Sequence, residues 1–128
     1  VAPVSSYRHA THVEMAEALK ADPALPMLDL RRNSEFDDGY VAGAKHVPLH
    51  ELRGRVQEVA DWAAENSSHG PVWIYCGSGF RASIGASVLE AAGVPIVHVD
   101  DDFPNAEKAG LPIDRPVHGH RLGAAYAD

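Results

Sequence analysis

The one cysteine in this 128-residue chain opens the run Cys76-Gly77-Ser78-Gly79-Phe80-Arg81. An apolar stretch, Val72-Trp73-Ile74-Tyr75, leads into it, and a helix-like stretch from Phe80 to about Ala92 leads out. A thiol therefore sits at a strand-to-helix turn. Glycines let the backbone curl so that several N–H groups point inward. The start of a helix adds partial positive charge and free N–H donors. Such a turn seats an anion and favours the thiolate, the reactive form of a cysteine. Cys76 is the candidate nucleophile. Gly77 and Gly79 shape the backbone around it, and the Ser78 hydroxyl is placed to reach the bound group.

The elements that position this turn are legible as an alternation. Thr11 with Glu14 reads as a reciprocal cap for a helix running to about Ala21, with Met15, Ala16 and Leu19 inward. Met27-Leu28-Asp29-Leu30 reads as a short buried strand, and residues 31–43 as a loop. His46-Val47 reads as another strand. Leu52, Val56, Val59, Ala60 and Ala63 fall on one face of a helix over residues 51–65. After the turn at Asn66–Pro71 come the strand to Tyr75 and a helix with Phe80, Ile84, Val88 and Ala91 inward. Gly93 ends that helix. Ile96-Val97-His98-Val99 is a further buried strand. A short helix follows near Pro104–Lys108, capped by one of Asp100–Asp102, and the tail beyond Leu111 is expected to be loosely ordered.

Short apolar strands alternating with helices imply an α/β fold with a mainly parallel sheet covered on both faces. Functional crevices in such sheets lie at the carboxyl ends of the strands. Cys76, Asp29 with Arg31, and the aspartate run after Val99 all fall at that edge.

Composition sets bounds. One ordinary domain spanning residues 1–128 is expected, with neither an internal repeat nor a second domain. No apolar run approaches the roughly 20 residues needed to span a bilayer. The N-terminus has no basic region followed by an apolar one. A single cysteine excludes an internal disulfide and suits a reducing compartment, so a cytoplasmic location is expected. The net charge of −7 argues against general affinity for nucleic acid or anionic membranes. The eight histidines include the pairs His9/His12 and His118/His120 at ligand-like spacing. No cysteine lies near them, so no metal and no cofactor is expected. Trp62 and Trp73 read as packing residues, and His98 as a core histidine with its hydrogen bonds met.

Two separated motifs resemble the rhodanese-like (sulfurtransferase) family. One is Asp29-Leu30-Arg31, then Glu35-Phe36, then Gly39-Tyr40-Val41-Ala42-Gly43-Ala44, similar to a D-x-R…E-F…G-H-I-x-G-A signature. The other is Cys76 to Arg81 with Ala82-Ser83 behind it, which resembles the six-residue active loop. Gly110 to Ile113 resembles the family's usual ending. The resemblance covers about residues 8–114, leaving 115–128 as a tail. It implies a three-layer fold with a central parallel sheet flanked by helices. It also implies sulfane-sulfur transfer through a Cys76 persulfide, from a small anionic donor to a thiol or cyanide. Gly77, Ser78, Gly79, Phe80, Arg81 and Arg31 would then surround the substrate, Arg81 supplying fixed positive charge. Asp29 and Glu35 would be structural supports.

Departures from the pattern narrow the donor. Gly77 stands where many thiosulfate-using members carry a basic residue. The CGSG start is similar to mercaptopyruvate sulfurtransferases, but Glu35 falls near the place of their extra substrate arginine, which argues against that donor. Asp101-Asp102 replace a usual glycine pair. The stretches around the loop and Val99–Phe103 also resemble rhodanese modules fused behind metallo-β-lactamase-fold proteins of sulfide metabolism, which makes Val1 an expected domain boundary. Two rivals stand beside the transferase. Rhodanese-fold cysteine phosphatases and arsenate reductases place five residues between Cys and Arg. Here there are four, and a smaller loop suits a single sulfur. The other rival is a non-catalytic rhodanese module for binding or regulation, a role in which the cysteine is often lost.

Overall fold

The computed structural model describes residues 7–115. The elements run β1 (Arg8–Ala10), α1 (His12–Ala21), β2 (Met27–Asp29), α2 (Asn33–Asp38), β3 (Tyr40–Val41), β4 (Lys45–His46), α3 (Leu49–Leu52), α4 (Val56–Glu65), β5 (Val72–Tyr75), α5 (Phe80–Ala91), β6 (Ile96–Val99), α6 (Pro104–Lys108) and β7 (Ile113–Asp114). Five strands form one sheet in the order β1-β6-β5-β2-β4, and every pairing in it is parallel. All four residues of β5 and of β6 are buried, as expected for strands covered on both faces. The fold is α/β in three layers.

Strand pleating divides the core. Leu28, Val72, Ile74 and Cys76 face the layer formed by α3, α4 and α5, packing on Leu52, Val59, Ala86 and Leu89. Met27, Trp73 and Tyr75 face the opposite layer, packing on Met15 of α1 and Ala106 of α6. The period of two in β5 thus decides which face Cys76 occupies.

The capped start of α1 is present as expected, with Thr11 Oγ1 accepting from Glu14 N and Glu14 accepting from Thr11 N. Several boundaries differ. The expected loop over residues 31–43 holds α2 and β3, and Ile113–Asp114 in the expected tail pairs antiparallel with Tyr40–Val41. Phe36 stacks between Tyr40 and His46, an apolar anchor hidden in a polar stretch. The expected helix over 51–65 divides into α3, a 3-10 turn at Arg53–Arg55, and α4. Gly54, a poor helix residue, sits at the break, and Leu49 N–H bonds to Leu30 O, pulling the helix start back to β2. None of the aspartates caps α6: Asp101 Oδ2 instead accepts from His12 N at the start of α1.

The largest correction is the phase of α5. Phe80 is 70 % exposed and Ile84 39 %, and the inward face is Ala82, Gly85, Ala86 and Leu89. Small residues let the helix lie close on Leu30, the residue after β2, with which a Cβ on Gly85 would collide. No helix among the described residues is long and apolar enough to cross a membrane.

Candidate active site

Cys76 leaves β5 on the α5 face of the sheet and is fully buried. The chain then turns through Gly77 and Ser78 to Gly79, whose φ of +93° is the left-handed region open to glycine. A Cβ at Gly79 would also lie 2.5 Å from Asp100 Oδ1 and 3.3 Å from Asp100 Cα. This turn aims two N–H groups at the sulfur: Gly79 N and Ala82 N each donate to Cys76 Sγ at 3.1 Å. Both donors belong to the unpaired first turn of α5, where the helix dipole adds to their pull on negative charge. The arrangement is a ready-made seat for anionic sulfur.

Two further contacts hold the turn from behind. Phe103 N–H donates to Gly77 O at 2.8 Å, and His98 Nε2 bonds to Gly79 O at 3.0 Å. The segments after β5 and β6 therefore meet at one edge, as the topology requires. Ser78 and Phe80 stand exposed at the rim.

Arg81 does not point freely into solvent. Its guanidinium makes a two-pronged pair with Glu35, Nη1 to Oε1 at 2.5 Å and Nη2 to Oε2 at 2.8 Å, and both side chains are 28 % exposed. The hydrogen bonds from Arg81 hold the Glu35 carboxyl down at about 2, and Glu35 in turn raises the Arg81 guanidinium further above its ordinary value. Gly77 makes room for this pair, since a Cβ there would lie 2.7 Å from Arg81 Nη2. A side chain at Gly77 would therefore have to displace the end of the Arg81 guanidinium from its place beside Glu35.

Asp29 and Arg31 form a separate, buried tie. Arg31 Nη2 donates to Asp29 Oδ2 at 2.8 Å and to Gly39 O at 2.7 Å, and the Arg31 backbone N–H donates to Asp29 Oδ1. Its guanidinium lies 3.7 Å from the Phe103 ring centroid. Asp29 fits the expected supporting role. The expectation that Arg31 touches substrate meets a side chain only 4 % exposed, with Nε and Nη2 spent on Asp29 and Gly39 O.

Beside the loop lies a cleft of about 430 Å³ lined by Leu30, Leu49, Arg32, His50 and Arg81. A larger one of about 510 Å³ opens around Pro71, Pro95 and Ile96, at the amino ends of β5 and β6 and so away from the chemistry. Among the described residues no three His, Cys, Asp or Glu side chains cluster to hold a metal. His9 faces His98 and His12 is buried in the α1 layer, whereas His118 and His120 lie outside the described residues. Sequence reasoning missed the holding roles of His98 and Phe103. The signal for the first was a lone polar residue in the apolar strand Ile96–Val99; for the second there was none.

Residues 11–108 match the family model for the rhodanese-like domain. The chain is 26 % identical over 77 residues to the "Putative sulfur carrier protein YrkF" of Bacillus subtilis, covering 60 % of this chain and 38 % of that one. It spans about half the length, or less, of the curated relatives it matches. The fold is similar to a rhodanese-related protein from Thermoplasma volcanium, with a TM-score of 0.69 and 24 % identity over 84 % of this chain and 98 % of that one. It is also similar to a thiosulfate sulfurtransferase from Pseudomonas aeruginosa, with a TM-score of 0.66 and 25 % identity over 85 % of this chain and 20 % of that one.

Proposed function

We propose that this chain, which belongs to the rhodanese-like domain family, is a sulfurtransferase that carries sulfane sulfur as a persulfide on Cys76. The observation that carries the reading is the pair of N–H groups donating to Sγ where β5 meets α5. In the first step the Cys76 thiolate attacks the outer sulfur of a small anionic donor, thiosulfate or a persulfide. The Sγ–S bond forms as the donor's S–S bond breaks, and the leaving group departs as sulfite or a thiolate with the electron pair. In the second step a thiol or cyanide attacks the terminal sulfur, and the Sγ–S electron pair returns to Cys76. Neither step needs an external oxidant, a metal or a cofactor.

The N–H donors are oriented before substrate arrives, so they stabilise negative charge with little reorganisation. The cleft beside the loop, lined by Leu30, Arg32, Leu49, His50 and Arg81, gives the donor room, with the Arg32 and Arg81 guanidinium groups both drawn to Glu35. The reading sets the reaction in a reducing compartment such as the cytoplasm, where a lone thiol stays free. A fused or separate protein of sulfur metabolism would supply or take the sulfur. Resemblance to a sulfur carrier and to a thiosulfate sulfurtransferase supports the class.

Phosphatase chemistry fits less well, because Arg81 is already held by Glu35 and four residues, not five, separate it from Cys76. A non-catalytic binding module draws on the full burial of Cys76. Thiocyanate formation from thiosulfate and cyanide separates the two. Turnover by the wild type and none by Cys76→Ser supports the transferase; equal, background rates for both leave the binding module.

A further inference from the structure

We infer that His98 is a positioning residue for the Cys76 loop, and that His9 fixes the ring state in which it acts. The inference rests on the sulfur-transfer reading only for one of its readouts.

His98 is paired in register with Ile74 of β5, so it shares the sheet face of Ile74 and Cys76. It is 3 % exposed in a strand otherwise made of Ile and Val. Buried ring nitrogens are usually hydrogen-bonded, and both of those of His98 are. Nε2 lies 3.0 Å from Gly79 O, and Nδ1 lies 3.0 Å from Nδ1 of His9 on β1. A carbonyl oxygen only accepts, so His98 Nε2 carries a hydrogen. In the neutral ring Nδ1 is then bare, and His9 donates to it through its own Nδ1–H. His9 is at the surface, so the chain of contacts runs His9, His98, Gly79, Cys76 from solvent to the sulfur.

Gly79 is the residue this chain must control. Its N–H donates to Sγ, and its carbonyl receives both His98 Nε2–H and the first backbone bond of α5, from Ser83 N–H. With two donors on the oxygen, the Gly79 carbonyl cannot swing, and the left-handed backbone that aims the N–H at Sγ is held. Without His98 one anchor of that carbonyl is gone and the N–H is free to wander off the sulfur. The loss of one such neutral hydrogen bond corresponds to an about 2- to 10-fold change in rate.

The test compares His98→Leu, His98→Gln and His9→Ala with the wild type in the full chain. Two rates are read: sulfur gain by Cys76 from thiosulfate, by intact mass, and alkylation of Cys76 by iodoacetamide. Imidazole nitrogen resonances report the His98 ring state, and thermal melting reports the fold. The expected result is an about 2- to 10-fold loss of both rates in His98→Leu. His98→Gln, whose amide can still donate to Gly79 O, recovers most of that loss. His9→Ala gives a smaller loss together with a changed His98 nitrogen signature. Wild-type rates in a folded His98→Leu protein overturn the inference. So does a loss that Gln fails to recover and that follows the melting temperature across the series. If His98→Leu does not fold, His9→Ala decides: unchanged rates with an unchanged His98 signature overturn it. If the wild type takes up no sulfur, the sulfur-transfer reading fails, and the alkylation series alone still decides the role of His98.

Discussion

Cys76 Sγ accepts from two backbone N–H groups, and Arg81 draws its orientation from Glu35. The Arg81–Glu35 pair sits beside the loop with both side chains partly in solvent, so its worth is modest, about 1 kcal/mol or less after screening. Because the folded Glu35 carboxyl titrates at about 2, below the usual 4.5, that contribution is present above the usual value and is lost as pH falls through about 2. Glu35→Gln is expected to lower stability at neutral pH by that amount and to narrow its gap from the wild type between pH 4.5 and about 2. Urea melts at the two ends of this range check it; a constant gap contradicts it. The strand-to-helix turn at Cys76 was legible in sequence because a continuous apolar run gives way there to glycines and then to a helix. Glu35 was legible as a support but not as the partner of Arg81, and His98 not as a loop anchor. Their partners lie 46 and 19 residues away, separations that only the folded sheet brings together.

At the scale of elements, the turn from β5 to α5 governs the rest. The continuous apolar run Val72–Tyr75 placed β5 correctly from sequence, as expected of a strand buried on both faces. The phase of α5 was not legible, because periodicity favours the large side chains Phe80 and Ile84 as the inner face. The helix instead takes the phase that delivers Ala82 N–H to Sγ and lets Gly85 approach Leu30. Phe36 and Ile113 were named only as parts of the resembling motifs, and the elements α2, β3 and β7 around them were missed for a related reason: single apolar anchors in polar stretches make no period. Gly79→Ala tests the turn. It forces a side chain into φ +93° against Asp100, which is expected to cost about 1–3 kcal/mol in a urea melt and to slow sulfur uptake by Cys76. Unchanged stability would show that the left-handed turn is not required.

At the scale of the whole molecule, the parallel sheet lays the segments after β2, β5 and β6 along one edge, and the opposite layer of α1 and α6 clamps them. His12 belongs to that clamp. It is fully buried near the Tyr75 and Phe103 rings, and neither ring nitrogen has a hydrogen-bond partner among the described residues. Burial lowers its pKa from 6.5 despite Asp101 and Asp102, with Arg31 adding to the lowering. The unfolded chain therefore binds the proton more readily. Stability from this site is complete above pH 6.5 and declines as pH falls below it. Melting temperatures at about pH 7.5 and about pH 5.5 are expected to differ less in His12→Leu than in the wild type; equal slopes contradict the assignment. The central claim, that the molecule carries sulfur on its one thiol, has a more direct test. The intact protein is incubated with thiosulfate or a small organic persulfide, weighed, and weighed again after cyanide. The account predicts a gain of one sulfur atom on Cys76, removed by cyanide and missing in Cys76→Ser. No gain from either donor, or a gain that persists in Cys76→Ser, would contradict it.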